Sequence, residues 1–99
     1  MKPVFVLSDA AEDLEFGKAF YDSQEKGIGD YFVDSLLSDI ESLQSFHGIH
    51  KMDFGFYRML SNRFPFGIYY DITQTAVEVY AVLDLRRDPL WIRSELLTR

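Results

Sequence analysis

The sequence contains no cysteine, only three prolines and only two histidines. Disulfide bridges and thiolate metal sites are therefore excluded, and a reducing compartment is compatible with this composition. No apolar run approaches the roughly 18 residues that a membrane span requires. The first residues also lack the basic and apolar regions of a signal peptide, so we expect a cytoplasmic protein.

The chain of 99 residues is 47% hydrophobic and 16% aromatic, which is enough apolar material to fill a core. A chain of this length buries roughly 60 to 65% of the surface that its unfolded form exposes. No linker, internal repeat or low-complexity segment interrupts it. We predict a single domain, residues 1–99, in which one sheet is covered by a helical layer.

The net charge is −6, which argues against a polyanion as partner. The charges are divided unevenly, because residues 1–54 carry four lysines against eleven carboxylates and residues 55–99 carry six arginines against five carboxylates. Guanidinium groups suit carboxylate or phosphate ligands. Two interpretations stay open: the second half recognises a ligand, or its arginines pair with local acids.

Two segments near residues 66–72 and 77–83 alternate between apolar and other side chains. A period of two predicts β-strands with one side of each in the core. The spacer Thr73-Gln74-Thr75 is short enough to make them an antiparallel hairpin. After the hairpin, Asp88 is predicted to cap a final helix and Pro89 to be its first residue.

The N-terminal half has helical spacing. Val4–Leu7 is predicted to be a strand, followed by an amphipathic helix over 9–25 that begins with Asp9 and Glu12 as a capping box. Its buried face is predicted to contain Ala10, Leu14, Gly17 and Tyr21, widened by Phe16 and Phe20.

A second helix is predicted after a break at Gly27, where a left-handed conformation can end the first. Its apolar stripe is Ile28, Phe32, Leu36, Ile40 and Leu43, and its exposed side includes Asp34, Ser38, Asp39 and Glu41. The short connection predicts an antiparallel helical hairpin. Because one sheet face accommodates this hairpin, some apolar surface is expected to remain for a partner.

Residues 47–54 are predicted to form a loop in which His47 and His50 are solvated. Histidines three residues apart form a metal motif only with a helix and a third ligand, so we predict no metal site. Residues 55–60 are predicted to form a strand that carries Arg58. The expected architecture is α+β in the order β-α-α-β-β-β-α, with a helical hairpin on a small, mainly antiparallel sheet.

Five segments of the sequence form a recognisable set: Asp13-Leu14, Gly29 to Phe32, Arg58, Phe64 to Tyr70, and Ala81 to Trp91. The most specific of them is the last, a strand that ends in an Arg-Arg-Asp-Pro-Leu-Trp corner. Together they resemble the ParE branch of the RelE/ParE toxin superfamily over nearly the whole chain. Asp84, where related sequences often have histidine, and the acidity of the chain depart from the pattern.

The resemblance implies the toxin of a type II toxin-antitoxin module, of the kind linked to plasmid stabilisation and growth inhibition, with a cognate antitoxin as partner. ParE-type toxins are described as binding and inhibiting DNA gyrase, whereas RelE-type toxins cleave messenger RNA on the ribosome. A non-toxic relative that only forms interactions is a third alternative. The resemblance implies no cofactor and no membrane partner, and it is compatible with a homodimer or a heterotetramer with antitoxin. The net charge predicts weak direct nucleic-acid binding.

RNA cleavage requires a general base and acid beside the scissile phosphate, together with a cation. Guanidinium groups supply the cation but remain protonated, and an indole exchanges no proton usefully. Binding is therefore favoured over catalysis, and no catalytic residue is assigned. The candidates for a ribonuclease site would be Arg58, Arg63, Arg86 and Arg87.

The residues expected to contact the target or the antitoxin lie on the sheet half and the corner after it. Each of these residues can also be explained by contacts within the chain, without a partner. The arginines can pair with nearby acids, the tryptophan can pack the last helix onto the sheet, and the two tyrosines, expected on the polar side of their strands as an exposed platform, can pair with each other. These residues are Arg58, Tyr69, Tyr80, Arg86, Arg87 and Trp91.

Overall fold

A computed structural model describes residues 1–99 as four helices and five strands. The helices are α1 (Ser8–Gln24), α2 (Ile28–Glu41), α3 (Leu43–Phe46) and α4 (Pro89–Leu97). The strands are β1 (Val4–Val6), β2 (Met52–Asp53), β3 (Phe56–Leu60), β4 (Phe66–Ile72) and β5 (Val77–Asp84). The predicted α+β class and element order are confirmed, with α3 and β2 as two short additions.

The five strands form one mixed sheet in the order β1-β5-β4-β3-β2. The central pairs are antiparallel, as the hairpin prediction required, and only β1 runs parallel to its neighbour β5. The strand β2 lies inside the segment that was predicted to be entirely loop. Gly55 and Phe54 both have positive φ, and this tight connection allows β2 to fold back onto β3.

The helical hairpin of α1 and α2 packs on one face of the sheet. Its core contains the predicted stripe of α2, including Phe32 and Leu36, both fully buried. The rings of Tyr21, Phe32, Phe64 and Phe66 form a cluster in which neighbouring centroids lie 4.9 to 6.3 Å apart. This aromatic cluster joins both helices to the start of β4.

Helix α4 covers the opposite face of the sheet. Its residues Ile92 and Leu96 pack against Tyr69, Ala81 and Leu83. The prediction that each strand buries only one side is therefore wrong. A β-bulge between Tyr69 and Tyr70 leaves Tyr80 of β5 without a partner in the register, and the extra residue reverses the alternation along β5.

Close contact between α1 and α2 depends on Gly17. A Cβ atom at this position would lie 2.4 Å from the Phe32 ring, so only glycine allows the helices to approach so closely. Gly27 has φ of 94°, which confirms the predicted left-handed break. The backbone N–H of Gly29 donates to the Asp22 carboxylate, which ties the start of α2 to the end of α1.

Asp39 is buried on α2, although the helical pattern predicted it to be exposed. Its carboxylate accepts hydrogen bonds from the Ser61 hydroxyl at 2.8 Å, the Asn62 side chain at 2.8 Å and the Asn62 backbone at 3.2 Å. These bonds attach the turn between β3 and β4 to the helical hairpin. The burial of Asp39 is explained by this turn, which helical periodicity cannot reveal.

The two predicted helix caps have different outcomes. Asp88 accepts a hydrogen bond from the Leu90 N–H at 2.8 Å and Pro89 begins α4, so this prediction is confirmed. The predicted capping box at Asp9 is wrong, because α1 starts at Ser8 and Leu7 occupies the N-cap without a side-chain bond. None of the helices has the length and apolarity needed to span a bilayer.

Candidate partner-binding groove

An open groove of about 750 Å³ lies between α1, the end of β5 and α4. Helix α1 contributes Phe16 and Phe20, the sheet contributes Val82, and α4 contributes Trp91. The phenylalanine side chains were predicted to widen the buried face of α1, but Phe16 is 77% exposed and Phe20 is 49% exposed. The groove thus combines a strand edge with exposed aromatic groups.

The strand edge at the groove is the part of β5 that β1 does not cover. Strand β1 pairs with β5 only over Val77–Val79, so Tyr80–Asp84 lie beyond it. Side chains satisfy two of the backbone groups there. The Val82 N–H donates to Asp13 Oδ2 at 2.9 Å, and the Tyr80 carbonyl accepts from Arg99 Nη1 at 3.0 Å. Two side chains therefore occupy positions that a paired strand would fill.

Arg99 and Asp13 form a bidentate ion pair across the groove floor. Arg99 Nη1 and Nη2 lie 2.7 and 3.0 Å from the Asp13 carboxylate oxygens, and Nη2 also donates to Glu95 at 3.2 Å. The two paired side chains are only 7% and 15% exposed. The hydrogen bonds to Asp13 raise the pKa of Arg99, because they stabilise its charged form. The pair links α1 to the end of α4.

Arg86 is held by Asp84 at the corner between β5 and α4. The Arg86 side chain donates to both Asp84 oxygens, at 3.0 and 2.8 Å, and its backbone N–H adds a third bond of 2.9 Å. These hydrogen bonds lower the pKa of Asp84. Asp84, the position that departs from the family pattern, therefore restrains an arginine that was predicted to contact a partner.

Arg87 and Trp91 are adjacent in the groove. The Arg87 guanidinium carbon lies 3.9 Å from the centre of the Trp91 ring, which is a cation–π contact. Trp91 is partly buried and packs against the core beneath α4. Its predicted packing role is thus present, and the exposed Arg87 covers its outer face.

Arg58 and Tyr69 lie opposite each other on β3 and β4, away from the groove. Arg58 Nη1 donates to Asp53 at 3.1 Å, so the local-pair alternative applies to it. Tyr69 is fully buried beneath α4, and burial raises the pKa of its hydroxyl. Tyr69 lies on the side of β4 opposite Ile68 and Tyr70, as the alternation predicted. The prediction that it belongs to an exposed platform is wrong, because α4 covers that side.

Tyr80 is the remaining predicted contact, and Arg63 is the remaining candidate for a ribonuclease site. Tyr80 is half-buried and packs against Phe56, with ring centroids 5.1 Å apart, so it forms no pair with Tyr69. Burial is the main cause that raises the pKa of the Tyr80 hydroxyl. Arg63 is exposed in the turn between β3 and β4. The structure brings Arg87 and Trp91 together at the groove, with Arg86 beside them, and places Arg58 and Arg63 elsewhere.

The two histidines form hydrogen bonds with other groups of the chain. His47 Nδ1 contacts the Leu43 carbonyl at 2.8 Å, and His50 Nδ1 lies 2.5 Å from the Tyr70 hydroxyl. That hydroxyl also accepts from the Gly48 N–H at 2.9 Å, and the tautomer of His50 decides which group donates in the His50–Tyr70 contact. Burial lowers the pKa of His50. Both histidines are partly buried, in contrast to the prediction that they are solvated.

Sequence reasoning missed Asp13 and Arg99 as groove residues and assigned Phe16 and Phe20 to the core. The phenylalanines recur at a spacing of four, offset from the buried stripe of α1, and this offset was a usable signal. No local pattern predicted the ion pair, because it joins residues 86 positions apart.

No protein-family model matches the chain, and no curated protein sequence is significantly similar to it. Among solved structures, a chain from one described as "Chromosomal ParDE TA system from P. aeruginosa" superposes with a TM-score of 0.75. The match covers 83% of this chain and 94% of that chain at 16% sequence identity. The likeness confirms a ParE-like fold, as the resemblance in the sequence implied.

Proposed function

We propose that the protein is the toxin of a type II toxin-antitoxin pair, and that it acts in the cytoplasm by binding a macromolecular target. The ParE-like fold is the observation that carries this proposal. The target of the toxin is DNA gyrase, as the resemblance of the sequence to ParE-type toxins implies, and a cognate antitoxin neutralises it. An open groove beside an uncovered strand edge suits a macromolecular ligand better than a small metabolite.

The distribution of proton-exchanging groups supports binding over RNA cleavage. The candidate cation Arg87 lines the groove and Arg86 contacts Asp84 at the corner beside it, whereas His50 and Tyr70 bond each other under the helical-hairpin face. A ribonuclease needs its base, acid and cation around one phosphate. The nearest phenol to Arg86 is that of Tyr21, whose hydroxyl accepts from Arg86 Nη2 at 3.4 Å. The ribosome-dependent endoribonuclease is therefore the weaker proposal.

A non-toxic relative that only forms interactions is the second candidate. The contact between Asp84 and Arg86 favours it, because the carboxylate neutralises a guanidinium that would otherwise reach a target. If this contact suppresses toxicity, the substitution Asp84→Asn will create or increase growth inhibition.

Induced expression separates the three candidates. Growth arrest with an SOS response supports gyrase inhibition, because stalled gyrase exposes DNA ends. Arrest with cleaved messenger RNA and no SOS response would replace this proposal with the endoribonuclease. Absence of arrest, with soluble full-length protein present in the induced cells, would leave the interaction-only relative.

A further inference from the structure

The groove carries a negative charge, because it lies between the acidic helix α1 and the arginine-rich second half of the chain. Two arginines line it, and both are engaged, Arg99 with Asp13 and Arg87 with the Trp91 ring. Five carboxylates line the same groove: Asp9, Glu12, Asp13, Asp84 and Glu95. Carboxylates in a groove with low-dielectric walls concentrate a negative potential there.

Asp9 and Glu12 are the carboxylates available to a ligand. Both are exposed on the first turns of α1, and neither forms a side-chain hydrogen bond or an ion pair. The other three face Arg99 or Arg86. A ligand that approaches along α1 therefore meets two free negative charges at one end of the groove.

Exposed aromatic side chains continue this surface along α1. Phe16 and Phe20 follow Glu12 at intervals of four residues, so the three side chains form one row on the helix. Large aromatic groups are enriched at the centre of protein interfaces, and charged groups belong to the polar rim around it. The row faces the part of β5 where side chains replace a paired strand.

We propose that this groove binds a positively charged, extended segment of the antitoxin. Lysine or arginine side chains of the segment contact Asp9 and Glu12, and an apolar side chain packs between Phe16 and Phe20. The segment runs beside the end of β5. This inference rests on the proposed function for the identity of the partner, and it assigns the antitoxin contact to carboxylates of α1 instead of to Arg86 and Arg87.

The sign of the charge distinguishes a cationic peptide segment from the other possible ligands of the groove. Nucleic acids and anionic lipid surfaces carry the same sign as Asp9 and Glu12 and are repelled. A second copy of the chain has a net charge of −6 and would bring the same acidic groove to the contact. A cationic segment is attracted by every free charge in the groove.

The test compares two fluorescein-labelled twelve-residue peptides that share the same leucine and phenylalanine positions. One carries four lysines and the other carries four glutamates. Fluorescence anisotropy with the full chain should show at least tenfold tighter binding of the lysine peptide at 50 mM salt, and a smaller difference at 300 mM. Equal affinity for the two peptides would overturn the proposal.

Charge reversal locates the site. Asp9→Lys with Glu12→Lys should weaken binding of the lysine peptide roughly tenfold. The matched control is Asp34→Lys with Glu41→Lys, which makes the same change in net charge on exposed positions of α2. If both pairs weaken binding equally, the effect is a general attraction and the assignment to the groove is wrong. Phe16→Ser should also weaken binding, and unchanged far-UV circular dichroism shows that each variant folds.

The proposal and the proposed function can fail separately. If the chain binds the lysine peptide selectively but its expression does not arrest growth, the proposal of a cationic ligand stands and the proposed toxin function is wrong. If expression arrests growth but the chain does not bind the lysine peptide selectively, the proposed toxin function stands and the proposal of a cationic segment is wrong. Both results come from the same full-length chain.

Discussion

The two faces of the sheet are built differently. The helical-hairpin face has a core of twelve buried residues that includes an aromatic cluster. The buried carboxylate of Asp39 accepts hydrogen bonds from the turn between β3 and β4 on this face. The α4 face has only five buried residues in its core and depends on the contacts of Arg99 with Asp13 and Glu95 at its margin. Apolar burial stabilises the first face, whereas ion pairs and hydrogen bonds contribute a larger share on the second.

This difference between the two faces indicates which surface a partner can bind without disrupting the core. An apolar core resists rearrangement because any displaced side chain leaves a cavity. A side-chain hydrogen bond to a strand edge can be exchanged for another hydrogen bond at small net cost. The groove lies where exchangeable contacts meet the sheet, and the helical-hairpin face provides the rigid support behind it.

The same substitution on both faces gives the largest expected effect. Leu36→Ala on the helical-hairpin face should reduce the free energy of unfolding by about 4 kcal/mol, because Leu36 is fully buried in the larger core. Leu96→Ala on the α4 face should reduce it by about 2 kcal/mol, because the smaller core can relax. Urea unfolding measures both. Leu97→Ala, at an exposed position of α4, is the control and should change little. Equal losses at the two buried positions would contradict the comparison.

Gly17→Ala tests how closely the helices of the hairpin pack. The added Cβ would overlap the Phe32 ring, so the free energy of unfolding should fall by about 3 kcal/mol. Phe32→Leu removes part of the ring that the new methyl group meets. The double variant should therefore be less destabilised than the two single effects predict. Additive effects would show that the helices separate without contact between these residues.

Arg99→Ala tests the polar margin of the α4 face. The change leaves the Asp13 carboxylate without its bidentate partner and should cost about 2 kcal/mol in urea unfolding. Arg93→Ala is the control, because Arg93 is exposed on α4 and forms no ion pair. If both substitutions change the free energy of unfolding negligibly, Arg99 does not stabilise the α4 face.

The smallest expected effect is a pH dependence from His50 on the helical-hairpin side. Burial lowers its pKa below the ordinary 6.5, so the unfolded chain binds a proton more readily than the folded one. The His50 contribution to stability is therefore complete above pH 6.5 and is lost as pH falls below it. Urea midpoints at pH 7.5 and 5.5 measure the loss. His50→Asn keeps an acceptor for the Tyr70 hydroxyl without titrating here, so its midpoint should fall less. The same fall in both proteins would exclude His50 as the cause.

The helices and the β4–β5 hairpin were predictable from local patterns. Helical spacing identified the buried side of α2, and the short spacer after Ile72 identified the hairpin. The burial of Tyr69 was not predictable, because α4, which covers it, lies further along the chain and leaves no local signal in β4. The faces of Ala81 and Leu83 were not predictable either, because the bulge residue Tyr80 reverses the alternation along β5. Asp39 was misplaced for a related reason: its hydrogen-bond partners come from a turn more than 20 residues away.

The candidate site was less predictable than the fold. The Arg-Arg-Asp-Pro corner located one end of the groove, and Trp91 lies there as a packing residue. The sign of the charge was missed, because counting arginines in the sequence does not show which are paired. Arg58, Arg86 and Arg99 all contact carboxylates, and the pair of Arg99 with Asp13 spans nearly the whole chain.

The most direct test of the groove is an amide chemical-shift titration of the full chain with the lysine peptide. We predict shift changes for residues 9–20 of α1 and for Tyr80–Asp84 of β5, with a large change at the Val82 amide, which donates to Asp13. Changes confined to the outer side of α2, or no change at peptide concentrations that saturate the anisotropy signal, would contradict the assignment of this surface.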